Sequence, residues 1–92
     1  MKYAIVYSDR FNEDIEEHKR NGKKSILQKI DFLIDELREH PTTGTGKPEQ
    51  LKGGRKGQWS RRITQKHRLI YEILSDVVAV LLIAAISHYD EK

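Results

Sequence analysis

The chain has 92 residues, of which 37% are hydrophobic and 34% are charged, and its net charge is +3. This size predicts a single compact domain over residues 1–92, because the core is too small to be shared between two folded units. There is no cysteine, which excludes a disulfide framework and a zinc–thiolate site as sources of stability.

The positive charge is concentrated in the middle of the chain. Residues 47–68 contain eight Lys or Arg and a single acidic residue, Glu49, whereas residues 1–46 contain eight basic and nine acidic residues. A basic block of this kind is typical of a surface that binds a polyanion, and nucleic acid is the leading candidate. A solvated basic loop that only keeps the protein soluble is the alternative, and charge alone does not decide between them.

The predicted elements begin with a strand and two helices. Residues 3–7 alternate as expected for a strand covered on at least one face. A surface helix over residues 9–21 follows, with Ser8 or Asp9 as its N-cap and a thin apolar stripe. A second helix, ended by Pro41, is predicted to belong to the core because apolar residues recur at helical spacing, namely Ile26, Leu27, Ile30, Leu33, Ile34 and Leu37.

A glycine-rich segment, residues 41–57, separates the helices from a predicted hairpin. Loops of this length in a small domain are usually functional or disordered. Residues 58–63 and 68–74 form the two hairpin strands, and a turn at Ser75 and Asp76 leads into a buried apolar strand that ends near Ser87.

The longest apolar run, residues 77–86, is too short to cross a membrane, since a spanning helix needs roughly 20 residues. The N-terminus carries no recognisable targeting signal, because its apolar stretch is short and runs directly into charged residues. We therefore expect a soluble, cytoplasmic protein with no membrane partner.

This order of elements predicts an α+β fold, in which the N-terminal strand and three antiparallel strands form one sheet with the helices on one face. The charged hairpin residues are expected on the other face, which is left for solvent or ligand. The hairpin register stays open, and a shift of one residue would move Arg62 and Arg68 to opposite faces. Trp59 is expected to anchor its strand in the core, with stacking on a base as the alternative.

Several residues in the basic region suit RNA cleavage. RNA is cut without metal when a 2'-OH attacks the adjacent phosphate, a route that needs a base, an acid and cations. Glu49 is the only acidic residue between Glu39 and Glu72, and the surrounding cations favour the carboxylate form that a base requires. Arg62 and Arg68 can bind phosphate oxygens in a bidentate manner. A loop carboxylate and ordinary exposed arginines are the structural alternatives.

His88 and Tyr89 directly follow the apolar strand and are candidates for the acid. A histidine that titrates near neutrality can protonate the leaving 5'-oxygen, and Tyr89 can stack on a base or donate a hydrogen bond. A terminal pair without function fits the sequence equally well. His67 is expected to be structural, in the hairpin turn. No two histidines have metal-ligand spacing, so we predict no metal site and no cofactor.

The segments "GTGKPEQLKG" and "GQWSRRITQKHRLIYEI" and the final "HY" closely resemble the YoeB/Txe branch of the RelE-like toxins of bacterial type II toxin–antitoxin systems. The resemblance extends over the whole chain. It implies a ribosome-dependent endonuclease that cleaves mRNA in the ribosomal A site without metal. It also implies a cognate antitoxin of the YefM/Axe type that blocks the site, and it leaves room for a homodimer.

The resemblance also implies roles for individual residues. Glu49 corresponds to the general base and Arg68 to the cation that stabilises the transition state. His88 corresponds to the general acid, with Tyr89 assisting it or binding substrate. Two further basic residues are implied as contacts to phosphate or ribosomal RNA, namely Lys52 and Arg62.

The acid position departs from the family pattern. Relatives commonly place an Arg or a Cys-Arg pair shortly before the terminal histidine, whereas Ser87 stands there in this chain. Both His88 and Tyr89 therefore stay candidates for the acid.

Two other functions are weighed against the endonuclease. A related-fold toxin that inhibits a DNA topoisomerase without cutting is the first alternative, since one fold can host both activities. A plain RNA-binding module is the second. A base, phosphate-binding cations and an acid in one chain favour the endonuclease, because neither alternative needs all three.

Overall fold

The computed structural model of the protein describes residues 2–53 and 57–86. In chain order its elements are β1 (Ala4–Tyr7), α1 (Asp9–Arg20), α2 (Lys24–Leu37), β2 (Glu49–Gln50), β3 (Gln58–Arg62), β4 (Arg68–Leu74), a short 3₁₀ helix (Ser75–Val77) and β5 (Ala79–Ile86). The strands form one sheet in the order β1-β5-β4-β3-β2. The predicted α+β fold class is confirmed.

The sheet is mixed. Strands β3, β4 and β5 are antiparallel neighbours, as predicted, but β1 runs parallel to β5 at one edge. A parallel pair requires a long crossover connection, which the two helices and the hairpin provide here. The opposite edge is β2, whose two residues are too few to show an alternating pattern in the sequence.

Both helices form where the sequence predicts them. Ser8 is the N-cap of α1, and its hydroxyl accepts a hydrogen bond from the backbone N–H of Phe11 at 3.0 Å. The apolar stripe of α2 packs on the sheet, where five of its residues are buried, namely Ile26, Ile30, Leu33, Ile34 and Leu37. Within residues 2–53 and 57–86, no helix has both the length and the apolar character needed to cross a membrane.

The last strand begins later than its apolar sequence predicts. Val77 belongs to the 3₁₀ helix and is 67% exposed, and Val78 adopts a left-handed conformation with φ of 51°. Strand β5 therefore starts at Ala79. The prediction of a buried strand from residue 77 is wrong at this end, because hydropathy does not report backbone conformation.

Strand β5 contains a bulge. Its residue Ile83 is inserted between Leu82 and Ala84, which pair with consecutive residues of β4. A single extra residue reverses the side-chain alternation beyond it, so Leu82 and Ala85 both face the helices. The carbonyl oxygen of Ile83 accepts a hydrogen bond of 3.0 Å from the Ser8 hydroxyl.

Side chains of α1 hold the end of β5. Strand β1 pairs with β5 only as far as Leu82. Further along, the backbone N–H of Ala85 donates to Asp14 Oδ2 at 2.9 Å, and its carbonyl oxygen lies 2.9 Å from Nε2 of the buried His18. Because a carbonyl only accepts, Nε2 of His18 carries the proton. His67, in the β3–β4 turn, packs its ring edge-on against His18.

Candidate active site

Strand pairing brings three of the predicted site residues to one face of the sheet. Arg62 of β3 lies directly opposite Arg68 of β4, and Glu49 of β2 lies opposite Ser60 of β3. Residues that are opposite one another, or two apart along a strand, project from the same face. Glu49, Arg62 and Arg68 therefore share the face that points away from the helices.

These residues line an open cavity of about 320 Å³. Its walls are formed by Lys47, Pro48, Glu49, Ser60, Arg62 and Arg68. One carboxylate thus stands among three cations and a hydroxyl, an arrangement that combines a proton acceptor with groups able to bind an anion.

Arg68 has unused hydrogen-bonding capacity at this cavity. Its Nη1 is buried and has no hydrogen-bond partner among residues 2–53 and 57–86. A buried N–H group without an acceptor costs free energy, and a rotation of the Arg68 side chain toward the cavity would let this group bond to an oxygen of a bound phosphate.

The segment that carries Glu49 is attached to β3 on both sides. The carbonyl oxygen of Gly46 accepts a hydrogen bond from the Arg62 N–H at 2.7 Å, and the Leu51 N–H donates to Gln58 at 2.9 Å. Gly46 has φ of +86°, and a Cβ there would lie 2.8 Å from the Arg62 carbonyl oxygen. Glycine at position 46 is what allows this close approach.

Arg61 departs from the prediction that the charged hairpin residues populate the open face. It alternates with Ser60 and Arg62, so its side chain points to the helix side, where it is completely buried. Its Nη1 donates to Glu36 Oε1 of α2 at 2.7 Å. The prediction is wrong for this residue because adjacent residues of a strand point to opposite faces, and the sequence did not reveal the register.

Two ionisable groups around Arg61 have shifted pKa values. Burial raises the pKa of the Tyr71 hydroxyl, and the Arg61 charge and hydrogen bond offset only part of this effect. Burial also acts to raise the pKa of the Glu36 carboxyl, but hydrogen bonds from Thr45 and the charge of Arg61 outweigh it. The pKa of Glu36 therefore lies below its ordinary value, and the carboxylate form is stabilised.

The other predicted residues lie elsewhere. Lys52 is exposed and is not part of the cavity wall, and His88 and Tyr89 lie outside the described residues. Trp59 is partly buried against the core, which confirms its role as an anchor. In the part of the chain that the structure describes, no group of three or more His, Cys, Asp or Glu side chains could hold a metal ion.

Besides Pro48, two residues of the cavity wall were not among the predicted site residues. Lys47 lies two residues before Glu49, and Ser60 lies two residues before Arg62. The strand alternation of Ser60 with Arg62 was the available signal, but it becomes informative only when the register of the hairpin is known.

Comparisons with known proteins identify the family of the chain. Residues 7–89 match the family model of the YoeB-like toxin of bacterial type II toxin-antitoxin systems. The chain is 47% identical over 66 residues to Toxin YoeB of Escherichia coli (strain K12), a match that covers 72% of this chain and 76% of that protein.

Solved structures are similar over almost the full chain. The YoeB/ParE toxin from Agrobacterium tumefaciens has a TM-score of 0.86 and 35% identity, and the match covers 94% of this chain and 99% of that one. YoeB from Staphylococcus aureus, solved as a dimer, has a TM-score of 0.81 and 32% identity, with 97% and 100% covered. In a YoeB-YefM complex from the same organism the values are 0.79 and 31%, with the same coverage. Because residues 7–89 match the family model, the chain belongs to the family of YoeB-like toxins of bacterial type II toxin-antitoxin systems.

Proposed function

We propose that this toxin is a ribosome-dependent endoribonuclease that cleaves mRNA in the ribosomal A site without metal and thereby inhibits translation. The observation that carries the proposal is the position of Glu49 beside Arg62 and Arg68 on one open cavity. A carboxylate and two guanidinium groups supply the base and the cations that attack by a 2'-OH requires. Such a toxin acts in the cytoplasm, where translation takes place.

The proposed reaction begins at Glu49, which is exposed and accepts the proton of the 2'-OH. The 2'-oxygen then forms a bond to the adjacent phosphorus, and the bond from phosphorus to the 5'-oxygen breaks. Arg62 and Arg68, which line the cavity, stabilise the negative charge that builds up on the phosphate oxygens. The products are a 2',3'-cyclic phosphate and a 5'-hydroxyl.

The leaving 5'-oxygen needs a proton donor. His88 and Tyr89 are the proposed donors, on the ground of their positions in the sequence. Lys52, which is exposed, is proposed as a contact to phosphate outside the cavity.

The open shape of the cavity supports dependence on the ribosome. In-line attack requires the 2'-oxygen, the phosphorus and the 5'-oxygen to be held in one geometry, and such alignment can lower the barrier by about 7–11 kcal/mol. A shallow cavity on a sheet face contacts an RNA strand from one side only. We propose that the ribosome holds the message from the other side.

Proposed partners follow from the relatives. YoeB of Staphylococcus aureus has been solved both as a dimer and in complex with YefM. We propose that this toxin binds a YefM-type antitoxin that inhibits cleavage, and that the free toxin forms a homodimer. Light scattering after size-exclusion chromatography measures the mass of the free toxin, and a monomeric mass at micromolar concentration would contradict the dimer.

The decisive experiment maps message cleavage in a purified translation system, with and without ribosomes. We expect cuts at A-site codons only when ribosomes are present. Glu49→Gln should lower the rate by about 10²- to 10⁴-fold, the usual contribution of a general base. Glu13→Gln, an exposed substitution on α1, is the matched control and should cleave like the wild type. Comparing His88→Ala with Tyr89→Ala identifies the acid.

Three outcomes would contradict the proposal. Rapid cleavage of naked RNA would remove the dependence on the ribosome. Unchanged cleavage by Glu49→Gln would remove Glu49 as the base. No cleavage in either condition would favour the topoisomerase inhibitor, which a DNA supercoiling assay would then detect.

A further inference from the structure

Arg61 makes a dense set of contacts on the side of β3 that faces away from the cavity. Its side chain is fully buried. Nη2 donates to the carbonyl oxygen of Thr43 at 2.6 Å and to that of His40, and Nη1 donates to the carbonyl oxygen of Thr45 at 3.3 Å as well as to Glu36. One guanidinium group therefore holds three backbone carbonyls of the segment 40–45.

Two partners of Arg61 hold the same segment. Glu36 accepts hydrogen bonds from the backbone N–H of Thr45 at 2.8 Å and from its hydroxyl at 3.0 Å. The Tyr71 hydroxyl lies 3.2 Å from Nε of Arg61 and donates to the carbonyl oxygen of Pro41 at 2.7 Å. The segment is thus fixed to α2, β3 and β4 at once.

The segment leads directly to the cavity wall. Gly46 follows Thr45 and bonds to the backbone of Arg62, and Lys47 then adopts φ of 50°, a conformation that non-glycine residues seldom adopt. Lys47, Pro48 and Glu49 are consecutive and all belong to the wall. Their distance from the two arginines of the cavity therefore depends on where residues 40–45 are held.

Stability alone is a poor explanation for this arrangement. Removing a guanidinium group from water is costly, and well-packed apolar residues often stabilise a core as well as a buried ion pair does. A planar group with five donors, in contrast, fixes several acceptors in one geometry. That property has value where a nearby group must be placed accurately.

We propose that Arg61 is a positioning residue, which acts through Glu36 and Thr45 to hold the segment carrying Glu49 at the correct distance from Arg62 and Arg68. The inference rests on the proposed function, since it assigns the anchor of the base in that reaction. A displacement of about 1 Å at a reacting group can lower a rate by about 100-fold. Loosening the anchor should therefore slow the chemical step more than it weakens binding of the message.

The main test uses Thr45, because its side chain is smaller and less buried than that of Arg61. Thr45→Val removes the hydroxyl bond to Glu36 and keeps the branched shape, whereas Thr45→Ser keeps the hydroxyl. In the translation system with ribosomes, kcat should fall about tenfold for Thr45→Val with KM unchanged, and Thr45→Ser should restore it. Thr42→Val, exposed in the same segment, is the matched control.

A second measurement does not depend on activity. Arg61→Lys keeps the charge but cannot reach three carbonyls with one ammonium group. Amide hydrogen exchange of residues 43–47 should be faster in Arg61→Lys and Thr45→Val than in the wild type, at a temperature where circular dichroism shows all variants folded. Thr42→Val should exchange as the wild type does.

The outcomes separate this inference from the proposed function. If the wild type cleaves message and Thr45→Val keeps its kcat, or if kcat and KM change together, the inference is wrong. If the wild type does not cleave, the proposed function is wrong, and the exchange rates of residues 43–47 alone decide whether Arg61 is an anchor. Unchanged amide exchange of residues 43–47 in Arg61→Lys would overturn the inference whether or not the wild type cleaves message.

Discussion

Arg62 and Arg68 lie directly opposite each other in the β3–β4 hairpin, with both side chains on the face that carries the cavity. Two like charges in this position repel each other and lower stability. A sheet selected for stability alone would place an opposite charge or an apolar residue at one of the two positions. Two opposed arginines are expected where a site binds an anion at some cost in stability.

This repulsion predicts that removing one charge stabilises the protein. Arg62→Thr should raise the free energy of unfolding in urea by about 0.5 kcal/mol at low salt, because the opposed charges are then relieved. The gain should shrink at about 1 M salt, where charges are screened within ~3 Å. Lys66→Thr, an exposed change in the hairpin turn with the same loss of net charge, is the control and should show a smaller gain. Arg62→Thr should also cleave message more slowly than Lys66→Thr does.

The shifted pKa of Glu36 predicts part of the acid sensitivity of the fold. Because this pKa is lower in the folded protein than its ordinary value of 4.5, the carboxylate contributes stability that is fully present above about that pH. That contribution is lost as the pH falls through the lower, folded-state pKa. Urea unfolding of the wild type and of Glu36→Gln between pH 7 and 3 measures it. The two curves should converge at low pH, and parallel curves would contradict the prediction.

Gly46 should be far less tolerant of substitution than a glycine with a similar backbone conformation. Gly46→Ala introduces a Cβ about 2.8 Å from the Arg62 carbonyl oxygen, whereas Gly22, with φ of +66°, has no atom within 4 Å of such a Cβ. Gly22→Ala should therefore show only the cost of the left-handed conformation, about 1 kcal/mol. Gly46→Ala should lose clearly more stability and most cleavage. Equal losses, measured by urea unfolding and by message cleavage, would contradict a close contact at Gly46.

The contacts of α1 with Ala85 predict local protection at the end of β5. Asp14→Ala removes the acceptor of the Ala85 N–H and should accelerate hydrogen exchange of that amide by about fivefold, since one such bond contributes about 1 kcal/mol. Glu17→Ala, an exposed change one turn further along α1, is the control. Exchange of the Ala85 amide that stays slow in Asp14→Ala would mean that burial, and not the bond to Asp14, protects it.

Local patterns in the sequence predicted most of the fold. The spacing of apolar residues located α2, and every residue of its predicted stripe from Ile26 to Leu37 is buried except Leu27, which is partly buried. The alternation and turn residues located β3 and β4 to within one residue. These signals depend on neighbours a few positions apart, which a single sequence displays directly.

Long-range pairing was not predictable in the same way. The register that places Arg62 opposite Arg68 also puts Arg61 on the helix side, where it contacts α2 and the segment 40–45, far away in the sequence. Arg61 and Glu36 are 25 positions apart, and the residues next to Arg61 in the sequence do not mark it as buried. In the site, Glu49 and the two arginines were found by residue type and family resemblance, whereas the residues that hold them in place were not.

The inserted residue Ile83 determines to which face of the sheet each later side chain of β5 points. Without it, strict alternation from Leu82 would turn Ile86 toward α1, whereas in the structure Ile86 lies opposite Arg68, on the cavity side. Ser8 links this shift to the other end of the chain, because the hydroxyl that caps α1 also satisfies the carbonyl oxygen of Ile83. The insertion of Ile83 thus decides which face of the sheet Ala84, Ala85 and Ile86 occupy, and the Ser8 hydroxyl bonds to the inserted residue.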